Sequence, residues 1–343
     1  MPLVSVIVPV HNGDAYIENA IASALSQLGC DLEVIVVDDA SQDRTREIVE
    51  KCLSSDRRLR LVSLSAHGGP SVARNAGITA ASGIWIALLD ADDRYRPDRL
   101  ARLLAVAEGS VADVVCDNLL VVDELTGCDL GRMFEENDLP ARIDARTFVI
   151  GNLPDGARPR HGLGFLKPMM RAAFLAQHGL LYNECMSFAE DYEFLMRVLI
   201  AGARCVAIPE AGYIYTVRQR SLTAMHGAAE LARLCTADEL LLAHPNVRTD
   251  PDLRRAIERH LISSQQRLHW VLFIDAYKRR NLPDLLRAIG HSWPVFGYVV
   301  RQCAKETGRR FFGLNTRPRQ AAARSANASI SAASEEAMAS SRK

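Results

Sequence analysis

Three acidic segments and one arginine-bearing helix hold most of the chemistry this sequence can offer. Asp90-Ala91-Asp92-Asp93 follows the apolar run at residues 84–89. Carboxylates at alternate positions can reach one hard cation and leave coordination sites for diphosphate oxygens. A D-x-D triplet is common in loops, however, and Asp93 has an alternative task as cap of the helix that Pro97 opens. Asp38-Asp39-Ala40-Ser41-Gln42-Asp43 follows a second apolar run. Ser41 or Asp43 alone suffices to cap the next helix, which leaves two adjacent acids without a structural task. A carboxylate there suits a nucleotide, because it accepts from a base N–H or from ribose hydroxyls. Glu190-Asp191 opens a helical pattern with Phe194, Leu195, Val198 and Leu199 on its apolar face. Acids in a first turn already favour the helix dipole, yet a general base is a carboxylate positioned near a substrate hydroxyl, and Asp191 is the candidate. Residues 68–77 lead from glycines into a helix carrying Arg74, which can neutralise phosphate or hold an aspartate.

Strands and helices must bring these segments together. Apolar, β-branched runs at residues 4–10, 33–38, 59–64, 84–89 and 113–116 predict strands. Amphipathic stretches at 14–27, 43–53, 70–81 and 97–107 predict the helices between them. Such alternation implies an α/β, Rossmann-like, mostly parallel sheet with helices on both faces, whose ligands sit beyond the carboxyl ends of the strands. His11-Asn12-Gly13, Asp38-Asp39 and the 90–93 cluster stand at three such ends, which sets one polar rim. Glycines and prolines loosen the pattern from about residue 125 to 160. Beyond it, a strand is predicted at 165–170, a helix at 188–201, strands at 204–208 and 213–217, and helices across 228–290. The resulting division is a catalytic domain at 1–225 (donor half 1–120, acceptor half 121–225), a helical extension at 226–315, and an Ala/Ser-rich, disordered tail at 316–343.

Composition excludes several classes. Lys+Arg and Asp+Glu both number 41 in 343 residues, so no overall field points to nucleic acid. The balance is uneven along the chain: residues 250–343 carry 17 basic and 8 acidic side chains. A basic end can meet anionic lipid or simply be a solvated helix face. Eight cysteines are scattered without a C-x-x-C pair, against a zinc module or a disulfide scaffold. No secretory signal is visible and no apolar run approaches the ~18 residues of a spanning helix. A cytoplasmic or membrane-peripheral protein is expected.

Taken in order, these segments resemble the family 2 glycosyltransferases of the GT-A fold, inverting enzymes that build bacterial polysaccharides. Residues 4–12 resemble the family's opening strand, with His11 where Tyr or Phe is usual. Val36-Val37-Asp38-Asp39-Ala40-Ser41-Gln42-Asp43 resembles its V-D-D-G-S-x-D segment, with Ala40 for Gly. Ala73-Arg74-Asn75-Ala76-Gly77, then Ser82-Gly83 and residues 89–93, fit the approach to its metal motif, and Glu190-Asp191 its E-D helix. Arg218, Ser221 and Thr223 resemble a short acceptor-side motif that follows. The resemblance implies that Pro9, His11, Asn12 and Asp38 or Asp39 hold the base and ribose, with Arg74 nearby. It implies that Asp90 contacts ribose or donor sugar, that Asp92 binds Mn2+ or Mg2+, and that Asp191 is the base. Glu190, Arg218 and Ser221 would lie toward the acceptor.

The donor so implied is a nucleotide sugar; UDP is the family's commonest nucleotide, and a UDP-hexose such as UDP-glucose or UDP-galactose is the expectation, though no residue identifies the sugar. Among such enzymes, those of the succinoglycan type extend a lipid-linked oligosaccharide at the cytoplasmic face of the inner membrane. The segment Trp293-Pro294-Val295-Phe296-Gly297-Tyr298-Val299-Val300, followed by Arg301, Lys305, Arg309 and Arg310, fits a membrane interface, or else an ordinary packed helix. A sugar-nucleotide pyrophosphorylase would carry a Gly-rich basic loop after strand one, and a dehydrogenase G-x-G-x-x-G. Neither is present. A non-catalytic sugar-nucleotide-binding subunit remains the rival from another class, and Asp90, Asp92 and Asp191 argue against it.

Overall fold

The structure, a computed structural model, describes residues 3–135, 138–154, 162–218 and 227–311, with side chains as far as 305. Its first half alternates as the apolar pattern requires: β1 (Val4–Val10), α1 (Ile17–Leu25), β2 (Leu32–Asp38), α2 (Thr45–Leu53), β3 (Leu59–Ser63), α3 (Pro70–Ala80) and β4 (Trp85–Leu88). These four strands run parallel in the order β3-β2-β1-β4. Every residue of β2 is buried, as expected of a strand covered on both faces. Pro9 fits inside β1 because the missing N–H falls past the last β4 pair, Ile7 with Leu88. Gly77 lets α3 lie against β1, since a Cβ there would stand 2.3 Å from Ile7 Cγ2.

The second half departs from an all-parallel sheet. It comprises β5 (Arg94–Tyr95), α4 (Arg99–Ser110), β6 (Val114–Asp123), β7 (Asp129–Arg132), β8 (Arg142–Ile143), α5 (Ala145–Gly151), β9 (Met169–Arg171), α6 (Ala172–Gln177), α7 (Glu190–Ile200) and β10 (Cys205–Val217). β9 runs antiparallel between β4 and β6, while β6 and β10 pair parallel. The strand predicted at 165–170 is confined to Met169–Arg171: Phe165 ends a 3-10 turn, and Pro168 has no N–H for a ladder. The two strands predicted at 204–208 and 213–217 are one. Its register slips between Ile208 and Ala211 and again before Tyr213, around Pro209, which has no N–H for the ladder. Gly212 lies where a Cβ would come 2.5 Å from Asp117 Oδ2.

Helices complete the described chain: α8 (Ala228–Ala243), α9 (Pro245–Arg248), α10 (Pro251–Lys278), α11 (Leu282–Ile289) and α12 (Trp293–Phe311). Two compact units divide at Leu272/Phe273, within α10. The physical reason is that α8 and the start of α10 are packed into the first unit. Leu231, Leu234 and Leu241 are buried, and Asp238 accepts from Tyr192 of α7 at 3.1 Å and meets His260 of α10 at 2.7 Å. The predicted tail at 316–343 lies outside the described residues.

Candidate active site

The carboxyl ends of β1 and β2 form one network. Asn12 and Ala40 hold left-handed backbone, at φ 50° and 54°. Asn12 Oδ1 accepts from Gln42 N–H at 2.8 Å and Asn12 N–H donates to Ser41 Oγ at 2.9 Å, so the two loops are stitched together. Asp38 Oδ1 accepts from Ser41 N–H at 3.0 Å. Asp39 spends both oxygens on the next loop: Gly68 N–H donates at 2.7 Å, Gly69 N–H at 2.8 Å, and His67 Nδ1 lies 2.9 Å away. His11 Nδ1 meets the Asp39 carbonyl at 2.7 Å, and its ring lies 3.9 Å from that of His67. The acids that had no structural task in the sequence therefore have one, and two exposed imidazoles stand at their edge.

A second cluster gathers side chains from distant parts of the chain. Arg74, 4% exposed on α3, sends Nη2 to Asp90 Oδ1 at 3.0 Å and Nη1 to Glu190 Oε1 at 2.8 Å, with Asp191 Oδ1 at 3.7 Å. Lys167 Nζ bridges Asp90 Oδ2 at 2.8 Å and Asp191 Oδ2 at 2.7 Å. Tyr182 donates its hydroxyl to Asp191 Oδ1 at 3.1 Å. Burial works against ionisation of Asp90, but Lys167 and Arg74 prevail and hold its carboxyl well below the usual range. Asp191 is likewise held low: burial opposes, and Arg74 and Lys167 outweigh it. Lys167 is pushed up, against burial, by Asp191 and Asp90.

The three acids of the 90–93 segment have separate environments. Asp93 does not cap α4. It is 2% exposed, accepts from the Tyr213 hydroxyl and from Thr216 N–H, each at 2.8 Å, and ties the segment to β10. Burial, with Asp92 and Asp90 nearby, raises its pKa well above the ordinary value, against the hydrogen bonds from Thr216 and Tyr213. Asp92 is raised by burial and by Asp90, against Arg218, which pairs with it directly. Arg218 also stacks over Tyr16 at 4.0 Å, and a Cβ on Gly13 would lie 3.9 Å from the Ala91 Cβ. The β1 loop and the 90–93 segment are thus neighbours. Ser221 and Thr223 lie outside the described residues.

Lys167, Tyr182 and Tyr16 are site residues the sequence reading missed. A lone lysine inside the apolar run Phe165-Leu166-Lys167-Pro168-Met169 was a usable signal, because a buried cation requires an anionic partner. Its backbone is fixed as well. Arg99 Nη2 donates to the Lys167 carbonyl at 2.6 Å while Arg99 Nη2 also lies 2.7 Å from Asp117 Oδ1, both side chains being almost fully buried. The Arg99 guanidinium stands 4.3 Å from the Tyr95 ring centroid and 5.1 Å from that of Tyr213.

The donor set suits a divalent ion. Asp90, Asp92, Glu190 and Asp191 face Arg74, Lys167 and Arg218. Four carboxylates face three cations, which leaves one negative charge in excess, and carboxylate oxygen is the ligand that Mg2+ and Mn2+ prefer.

The fold, an α/β mostly parallel sheet followed by helices, is the GT-A fold. The structure is similar to that of S. aureus TarS residues 1–349 in complex with UDP-GlcNAc (TM-score 0.62, 20% identity, covering 83% of this chain and 90% of that one). It is also similar to the mannosyltransferase PcManGT of Pyrobaculum calidifontis in complex with GDP-Man and Mn2+ (TM-score 0.57, 19% identity, 88% and 84% covered). Residues 5–146 match the profile of glycosyl transferase family 2. The chain is 37% identical over 316 residues to the succinoglycan biosynthesis protein ExoO of Rhizobium meliloti (strain 1021), spanning 89% of this chain and 88% of that protein. It is 36% identical over 299 residues to ExoU of the same organism, spanning 87% and 82%. The protein belongs to glycosyl transferase family 2.

Proposed function

We propose that this glycosyltransferase moves a hexose from a UDP-sugar such as UDP-glucose to a hydroxyl of a lipid-linked oligosaccharide, with inversion, during exopolysaccharide assembly at the cytoplasmic face of the inner membrane. The observation that carries the chemistry is the Lys167 bridge: one ammonium holds the donor-side carboxylate Asp90 and the base carboxylate Asp191 against each other. The pathway rests on the likeness to two succinoglycan biosynthesis proteins across most of the chain.

In this reading Pro9, His11, Asn12, Asp38 and Asp39 frame the nucleoside, and Arg74 and Asp90 orient the donor. Asp92 would hold Mn2+ or Mg2+, which when bound neutralises charge on the departing diphosphate. The acceptor oxygen attacks the anomeric carbon from the face opposite the diphosphate. The bond to the phosphate oxygen breaks, its electron pair leaves with the nucleotide, and the hydroxyl proton passes to Asp191. Because Arg74 and Lys167 keep Asp191 ionised and weakly basic, the proton transfers late, once bond formation has made the hydroxyl acidic. Arg218 and Glu190 would complete the acceptor side as their present partners are exchanged for substrate, with Ser221 beyond them. Positioning and electrostatics supply the rate.

The test is a thermal-shift panel of UDP-, GDP- and dTDP-sugars, each with and without Mn2+. A UDP-hexose should raise Tm only when Mn2+ is present, and Asp92→Asn should abolish that dependence. Stabilisation by UDP-hexose that ignores the metal in both proteins would defeat the assignment of Asp92. Transfer absent with every donor, despite tight binding, would favour a non-catalytic binding subunit.

A further inference from the structure

The second unit, Phe273–Lys343, presents apolar side chains outward in a regular pattern. In α12, Val295 and Val299 are buried, whereas Trp293, Phe296 and Val300 are 84%, 43% and 50% exposed. Spacings of three and four residues put those three on one face, away from the buried valines. The Trp293 and Phe296 rings meet edge to face at 5.8 Å, so the stripe is a formed surface. α11 repeats the device, with Ala288 buried and Leu282 and Leu286 64% and 61% exposed. Single exposed apolar residues need no explanation, but consecutive helices each carrying a stripe mark a surface that something covers.

Charge decides what covers it. Arg301 and Lys305, both exposed, flank the α12 stripe, and Arg279, Arg280 and Arg287 are exposed around α11. From residue 273 to 305 the sequence holds six basic and two acidic side chains. A second copy of the chain would bring the same basic border. Residues 312–343, with five basic and two acidic side chains, would not complement it either. A polyanion would satisfy the arginines and leave the tryptophan and phenylalanine in water. A bilayer with anionic lipid satisfies both, through headgroup charge and hydrocarbon. No described helix is long and apolar enough to cross a membrane, so the contact is interfacial.

We propose that the outward face of α12, with that of α11, docks this protein on an anionic lipid surface. The inference deepens the reading of a lipid-linked acceptor, and its readout is independent of turnover. Full-length protein is sedimented with vesicles of phosphatidylcholine alone and of phosphatidylcholine mixed with phosphatidylglycerol. It should bind the mixed vesicles with a blue shift of tryptophan emission. The triple variant Trp293→Ser/Phe296→Ser/Val300→Ser should bind at least about tenfold more weakly, with its thermal transition and donor hydrolysis unchanged. Arg301→Gln/Lys305→Gln should lose the preference for phosphatidylglycerol. Equal binding by wild type and triple variant, or no binding by wild type, overturns the proposal. A wild-type dimer that the triple variant turns into monomer does so too, by assigning the face to a second copy. Vesicle binding that persists without sugar transfer sinks the enzymatic reading and leaves this one standing.

Discussion

Lys167 reaches Asp191 at 2.7 Å and Asp90 at 2.8 Å, while Arg74 holds the same two acids from α3 with Glu190 as a third partner. Two buried cations thus set the ionisation of Asp191, the proposed base. A depressed carboxylate pKa keeps Asp191 charged to lower pH than an ordinary carboxylate. The acid limb of kcat/KM should therefore lie at lower pH than an ordinary carboxylate would give. Lys167→Met removes one cation, so the limb should move to higher pH and kcat should fall, whereas Lys167→Arg should move it less. An acid limb that stays in place in Lys167→Met would show that the lysine does not tune the base. Both depressed acids also add stability that is present above their unfolded pKa of about 4 and lost as pH falls through the folded values. Urea midpoints should accordingly drop more steeply with acid in the wild type than in an Asp90→Asn/Asp191→Asn double variant.

At the level of elements, the apolar runs disclosed β1 to β4 with their helices, because strands buried on both faces cannot hide their composition. The candidates on the β1–β2 rim were legible for the same reason. The second half was less so. β9 is three residues long and enters reversed between β4 and β6, and β10 continues through Pro209 by slipping register. Neither event has a local periodicity. Lys167 was missed because its partners Asp90 and Asp191 stand 77 and 24 residues away in the chain, where no spacing rule connects them. The turn after β2 offers a direct check. Ala40 at φ 54° bears the left-handed strain that glycine escapes. Ala40→Gly should raise unfolding free energy by up to about 1 kcal/mol, and Ala40→Val should lower it by more than that, as read from urea denaturation. No change in either would mean the turn relaxes in solution. Arg99 is the structural counterpart of Arg74. Arg99→Met leaves Asp117 buried and unpaired and should cost about 3–5 kcal/mol.

Across the whole molecule, the basic excess visible toward the end of the sequence falls in the second unit, where residues 273–343 hold 13 basic and 5 acidic side chains. The first unit gathers carboxylates at the ends of β1, β2 and β4 around two buried cations, and the second carries the arginine-bordered apolar stripes. The first unit runs to Leu272, with Tyr192, Asp238 and His260 joining α7, α8 and α10 in one core. Donor and metal that bind only the folded chain should stabilise it by about 2.7 kcal/mol at a hundredfold excess over Kd, which sets the scale of shift to seek in the donor panel. The most direct test of the central claim compares wild type with Asp191→Asn, measuring UDP-hexose affinity by calorimetry and sugar transfer by product formation, both with Mn2+. Donor affinity should stay within about threefold while transfer falls by at least about a hundredfold. Transfer at the wild-type rate by Asp191→Asn would contradict the account.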